Sequence, residues 1–306
     1  MRFGLCCTFL NEPIRFRRTT ARSLRSMNRR EALARLSEIC LHNARSLRSA
    51  VGYCAARGIG SFRINSRILP LKTHPTAGYE VEELPGGKAV REAFQSAGAD
   101  AEKAGIRLTF HPDQFVLLGS PREEVTEASI AELEYQGEVA EWVGADVINI
   151  HGGGAYGDKA SALGRMEENL YRLSRRVRER LTLENDDRIY SPADLLPLCR
   201  RLGIGFVYDI HHHRCLPDGL TEEEAAREAL GTWNREPLFH LSSPRNGWGG
   251  GDPRPHHDFI DPRDLPGGWR ELEITVEVEA KAKEEAILLL MGDFTSPVDA
   301  EAAAAL

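Results

Sequence analysis

The sequence predicts a (β/α)8 TIM barrel as a single domain over residues 1–299, followed by a short Ala-rich tail over 300–306. Three observations carry this prediction. Eight short runs rich in Val, Ile, Leu and Phe alternate with helix-like stretches. Six of those runs, in chain order, end in His, Glu or Asp. No Gly-rich phosphate turn follows the first run, which weighs against a doubly wound sheet. A parallel barrel brings all its strand ends to one mouth, so it is the simplest object that gathers six such endings.

The expected strands are Arg2–Cys7, Ser61–Ile64, Leu108–His111, Val147–His151, Leu181–Glu184, Gly205–Asp209, Leu238–Leu241 and Ile274–Glu279. The first expected helix spans Arg29–Arg57, with Leu36, Cys40, Asn43, Leu47, Val51 and Cys54 spaced three and four apart on one face. Further helices are expected near Lys88–Ala104, Arg122–Trp142, Leu163–Arg180, Pro192–Leu202, Glu222–Leu230 and Glu284–Met291. Ser120-Pro121 with Glu123, Ser191-Pro192 with Asp194, and Thr221 with Glu224 have the form of helix N-termini. Gly105, Gly144 and Gly203 stand where a helix-ending glycine belongs. Residues 8–28 and 243–263 read as long non-helical loops, a length that is usually functional or disordered.

The chain has 306 residues, 42% of them hydrophobic, and a formal net charge of −7. No global basic field recruits nucleic acid. Locally the balance reverses: residues 1–30 hold eight arginines against the single acid Glu12. That asymmetry fits phosphate contacts by Arg15, Arg17 and Arg18, with Phe9 and Phe16 interleaved as stacking or wedge side chains. A solvated surface loop is the plain alternative. The six cysteines form no CxxC pair, and no stretch approaches the roughly 20 apolar residues of a membrane helix. A cytoplasmic, monomeric protein without a nucleotide cofactor is expected.

The strand-end residues carry the chemistry. They are His111, His151, Glu184, Asp209 with His211, His212 and His213 behind it, His240 and Glu279; His74 and the pair His256–His257 lie in nearby loops. Neutral imidazoles and carboxylates are ligands for Zn²⁺, Mn²⁺ and similar ions. Eight or nine such groups exceed the need of one tetrahedral ion and suggest two or three. Clusters of that kind suit phosphodiester hydrolysis. Asp209 and His212, three apart just past a strand, can reach one ion, while His211 and His213 should point elsewhere. A carboxylate ending an apolar strand, as Glu184 does, is costly unless paired or metal-bound. Glu277 and Glu279 share a face, and either can be the ligand. Gln114-Phe115 is a polar–aromatic pair at the mouth, read equally as loop packing or as a contact surface. Gly152–Gly154 is either a turn or a close approach for a phosphate backbone.

With those residues in place, the chain resembles the UV damage endonuclease family, metal-dependent barrels related to endonuclease IV. The resemblance covers roughly residues 2–285. It rests on FRINSxILPxxTHP (62–75), LTFHPDQFVxxGSP (108–121), INIHGGGAYGDK (148–159), LTLENDD (181–187), DxxHH from Asp209, FHLSSP (239–244), HHDFI (256–260) and VEAKAK (278–283). It implies a three-ion site, usually Mn²⁺ with Zn²⁺ or Co²⁺ as alternatives. Its ligands would be His74, His111, His151, Glu184, Asp209, His212, His240, His256 and Glu279. Glu184, Glu279 and Lys281 would serve catalysis, and Gln114 and Phe115 would probe damaged double-stranded DNA. The implied reaction is attack by a metal-bound hydroxide 5′ to pyrimidine dimers, 6-4 photoproducts or abasic sites, leaving a 3′-hydroxyl and a 5′-phosphate. Two positions depart from the family's habit: Leu5 stands where an aromatic usually follows the first glycine, and Leu238 where a lysine often precedes the seventh-strand histidine. The competing readings are a sugar isomerase or epimerase on a similar barrel, which needs fewer ligands, and a non-catalytic binder of damaged DNA.

Overall fold

The computed structural model describes residues 1–295. The expected 300–306 tail and the 299 boundary lie outside the described residues. Eight parallel strands close into a barrel in sequence order: β1 (Arg2–Cys6), β2 (Ser61–Ile64), β3 (Arg107–Phe110), β4 (Val147–His151), β5 (Leu181–Glu184), β6 (Gly205–Asp209), β7 (Leu238–Leu241) and β8 (Thr275–Val278). The last strand pairs with the first, Gly4 opposite Glu277. Each expected strand is present to within two residues at either end. Both faces of the strands are buried, yet most strands alternate, as in SFRI, RLTF, LTLE and TVEV, with apolar side chains at one set of positions and polar ones at the other.

The helices are α1 (Ala21–Leu24), α2 (Arg29–Arg57), α3 (Gly87–Ala104), α4 (Glu123–Val143), α5 (Lys159–Leu170), α6 (Arg175–Arg178), α7 (Pro192–Leu202), α8 (Ile210–Cys215), α9 (Glu222–Leu230) and α10 (Glu284–Thr295). Gly105, Gly144 and Gly203 end α3, α4 and α7 in the left-handed conformation, as their positions predict. Ser191–Asp194 and Thr221–Glu224 form reciprocal caps. Ser120 does not cap α4. Its hydroxyl accepts from the N–H of Arg122, the residue just before the helix, and the helix starts without a side-chain cap. The single helix expected over 163–180 is two. It breaks at 171–174, where the Ser174 N–H is taken by Glu134 of α4. Two short helices depart from the expectation: α1 lies within the expected non-helical loop 8–28, where Thr20 accepts from the Ser23 N–H, and α8 follows β6 directly. Asp209 ends β6 and at once caps α8 by accepting from the His212 N–H at 2.8 Å.

The barrel interior is polar. Ser61, Arg63, Thr109, Asn149, Thr182, Glu184, His240, Thr275 and Glu277 are all buried. Larger apolar side chains such as Leu5, Phe62, Phe110 and Phe206 are buried in the main hydrophobic core instead. Leu5 is fully buried there, so the first-strand departure affects packing. Leu238 closes a small apolar cluster with Val147 and Val207.

Candidate metal centre

Eight of the nine expected ligands converge at the C-terminal mouth. Glu184, at the end of β5 and fully buried, is the hub. His111 Nε2 lies 2.9 Å from Glu184 Oε2, His151 Nε2 3.8 Å from the same oxygen, and His240 Nδ1 3.0 Å from Oε1. His212 Nδ1 is 3.4 Å from Glu184 Oε1 and 3.5 Å from Asp209 Oδ2. On the other side Glu279 meets His240 Nδ1 at 3.6 Å and His256 Nδ1 at 3.7 Å. Three overlapping ligand groups result: His111, His240 and Glu279; His111, His151 and Glu184; Glu184, Asp209 and His212. In each, the donor atoms lie within 4.8 Å of one another.

Outer contacts orient these groups. Asn149, steadied by Thr182, donates to Glu184 Oε2 at 2.5 Å. Asn185 clamps the strand ends, donating to the Asp209 carbonyl and accepting from the Asp209 N–H. Its neighbour Asp186 only closes a turn, accepting from Arg188, Ile189 and Tyr190. His111 and His212 each turn Nδ1 to a backbone carbonyl, those of Pro112 and Asn185. Ring orientation of this kind is typical of metal-ligating histidines. Gly152 serves packing, because a Cβ there would come 2.5 Å from the Tyr190 ring.

The electrostatics match an open ligand shell. Burial pushes the Glu184 carboxyl up, but His240, His151 and His111 outweigh it and hold the group well below the usual carboxylate range. Burial likewise opposes ionisation of Glu279, and Arg63 and His240 overcome it. Burial alone would lower His240, yet Glu184, Glu277 and Glu279 raise it to about 10. His151 goes the other way: burial prevails over the pull of Glu184 and keeps the imidazole neutral. Asp209 Oδ2 and His151 Nδ1 are buried without a hydrogen-bond partner. An all-nitrogen-and-oxygen donor set with orphaned acceptors fits divalent cations of the Mn²⁺ or Zn²⁺ kind.

The remaining expected residues are placed as follows. His74 lies in a turn where its Nδ1 accepts from the Thr76 and Ala77 N–H groups. It joins none of the ligand groups found among the described residues. His257 turns outward to the Phe259 N–H. His213 bonds Tyr208 Oη and Asp218, away from the cluster. Lys281 is exposed, and the cation that meets Glu279 is Arg63, at 2.5 Å. Arg63 was not singled out in the sequence, although an arginine inside the buried run SFRI needs a buried partner. Gln114 and Phe115 are exposed, Phe115 to 71%. Arg15, Arg17 and Arg18 are exposed on a loop whose backbone is tied down by Asn43, Ser46 and Glu284. Phe9 is buried and Phe16 half-buried, and both rings pack on Phe62, which leaves Phe9 no face for bases and Phe16 at most one.

A hollow of about 760 Å³ lies at the opposite end of the barrel, lined by Arg2, Trp233, Arg235 and Glu236 among others. Arg2 is paired there with Glu236, and Arg235 lies 3.6 Å from Asp146 with two guanidinium nitrogens unbonded, so the hollow gathers donors and not the acceptors found at the mouth.

Fold and donor set together define a TIM barrel with a candidate metal centre at its C-terminal mouth. A family model described as UV-endonuclease UvdE matches residues 1–304. The UV DNA damage endonuclease of Deinococcus radiodurans is 36% identical over 310 residues, covering 95% of each chain. That of Bacillus velezensis is 35% identical over 280 residues, covering 88% of this chain and 84% of that protein. The crystal structure of SacUVDE matches with a TM-score of 0.84 and 27% identity, covering 96% of this chain and 98% of that one. The chain belongs to the UV-endonuclease UvdE family.

Proposed function

We propose that this protein is a metal-dependent DNA repair endonuclease that nicks damaged duplex DNA 5′ to UV photoproducts, leaving a 3′-hydroxyl and a 5′-phosphate. The observation that carries the proposal is the sharing of ligands: His111 and Glu184 each belong to two of the three donor groups. A shared carboxylate suits neighbouring cations, because its charge offsets their repulsion. His111, His151, Glu184, Asp209, His212, His240, His256 and Glu279 would hold three ions, Mn²⁺ first among them, with His74 joining from its turn. Bound there, divalent cations supply Lewis-acid activation of water and of the scissile phosphate.

The chain's own residues do the rest. Arg63 keeps Glu279 ionised and fixed. Arg15, Arg17 and Arg18, presented from a tethered loop, meet backbone phosphates. Gln114 and exposed Phe115 contact the distorted bases, Phe115 by stacking. Cyclobutane dimers, 6-4 photoproducts and abasic sites share such distortion and are the proposed substrates. The deciding experiment incubates Mn²⁺-loaded protein with an end-labelled duplex carrying one defined photoproduct. The expected product is a single nick immediately 5′ to the lesion, extendable by a polymerase. Intact duplex after incubation with fully metal-loaded protein would overturn the proposal.

A further inference from the structure

Among the described strand residues, one buried carboxylate stands outside the ligand set. Glu277 lies two residues before Glu279 on the same face, so both side chains enter the barrel. In register it is flanked by His240 of β7 and Gly4 of β1. A Cβ on Gly4 would sit 3.0 Å from Glu277 Cγ and 3.1 Å from Ser61 Cβ. Gly4 thus leaves the space that the Glu277 side chain occupies. Glu277 Oε1 accepts from the Thr109 hydroxyl. Its Oε2 has two close neighbours, His240 Nε2 and Arg63 Nε, each at 3.2 Å. None of these three atoms makes an aligned hydrogen bond, even to one another, and all are out of water, so at 3.2 Å they are paired by charge and by nearness alone.

His240 is therefore used at both ends. Nδ1 faces Glu184 and Glu279, and Nε2 faces Glu277. An imidazole that gives one nitrogen to a cation keeps its hydrogen on the other. A carboxylate behind that hydrogen fixes the ring and strengthens the donor nitrogen.

We propose that Glu277 is a positioning residue of the metal centre: it accepts the Nε2–H of His240 and so turns the Nδ1 lone pair toward Glu184 and Glu279. This role rests on the metal-centre reading above. Arg63 contacts both Glu277 and Glu279, so one guanidinium ties the orienting carboxylate to the ligating one. Without the Thr109 hydroxyl, Arg63 and His240 around it, a carboxylate at this depth would be a large desolvation cost.

The test compares wild type with Glu277→Gln, Glu277→Asp and His240→Ala, using Zn²⁺ as a diamagnetic probe. Metal content is measured by atomic emission, affinity by chelator competition, and ring protonation by long-range ¹H–¹⁵N spectra. In wild type, His240 should carry its hydrogen on Nε2. Glu277→Gln should lose about tenfold to a hundredfold in affinity at one site, and Glu277→Asp should recover part of that loss. The metal-free melting temperature reports whether each variant keeps its fold, and the wild-type spectrum needs no variant. Zn²⁺ on Nε2 of His240, or unchanged affinity in Glu277→Gln while His240→Ala loses an ion, would overturn the positioning role alone. Wild-type protein that takes up no Zn²⁺ would overturn the metal-centre reading and this role with it.

Discussion

The two ends of the barrel are both crowded with charge, and they use it differently. At the N-terminal end the groups close on each other. Arg107 donates to both Asp146 oxygens, at 3.0 and 2.8 Å, and to the Glu236 carbonyl. Arg2 grips Glu236 through two bonds, and Thr275 adds a third. At the C-terminal mouth four carboxylates gather: Arg63 meets Glu277 and Glu279, while Glu184 and Asp209 face histidines. Orphaned atoms remain there. Satisfied pairs hold a fold together. A surplus of acceptors holds a place for cations, and of the two ends of the barrel the mouth has that surplus among the described residues.

Removing the hub should break the contrast most severely. Glu184→Gln keeps shape but loses the charge shared by two donor groups. Incision should fall on the order of a thousandfold or more, the scale at which an essential group of a catalytic unit is lost. Gel assays on a single-photoproduct duplex measure it, and activity within tenfold of wild type would remove Glu184 from the site.

Acidity sharpens the same contrast. In the metal-free protein His240 is held protonated, its value raised from the usual 6.5 to about 10. The sign follows: this ion pair stabilises the metal-free fold fully below about 6.5 and loses that effect as pH rises toward about 10. Cations need the ring neutral, so their apparent affinity should rise with pH across that window, up to about tenfold per unit for each proton displaced. Isothermal titration in buffers of different ionisation enthalpy counts the protons released.

Chelation should destabilise the protein while leaving the bottom network intact. For each site occupied at a hundred times its dissociation constant, metal contributes about 2.7 kcal/mol. Calorimetry with and without EDTA reads the difference, and identical melting curves would show that no ion had been held. Arg107→Met is the counterpart at the other end. Breaking a largely buried pair with Asp146 should cost roughly 2–3 kcal/mol, somewhat below the fully buried case because Asp146 is partly exposed. Metal affinity should not change. The smallest effect is expected from the loop arginines. Replacing Arg17 with Gln should reduce the salt dependence of duplex binding by about 0.9 in log–log slope and leave metal content alone.

Much of this architecture is legible in the chain. Strand positions follow from runs of β-branched and aromatic residues, helix ends from Gly105, Gly144 and Gly203, and the ligand types from what stands at each strand end. Those signals are local, since they depend on neighbours within a few residues. The errors are also instructive. Phe9 and Phe16 looked available because their loop is arginine-rich, but Phe62 lies more than forty residues away in sequence and takes both rings. Lys281 looked like the cation of the site, yet Arg63 reaches Glu279 because closure sets β2 next to β1 and β1 next to β8. His256 could be told from His257 only by resemblance, and its backbone bridge to Pro244 is what turns it inward.

The residue types at the strand ends, and hence the kind of chemistry, are written in the order of amino acids. Which of those residues touch was decided by barrel closure. Register across β7, β8, β1 and β2 puts His240 beside Glu277, Glu277 beside Gly4, and Arg63 between two carboxylates. No local periodicity encodes those neighbours, because each contact joins segments separated by tens to hundreds of residues and exists only once the last strand has met the first.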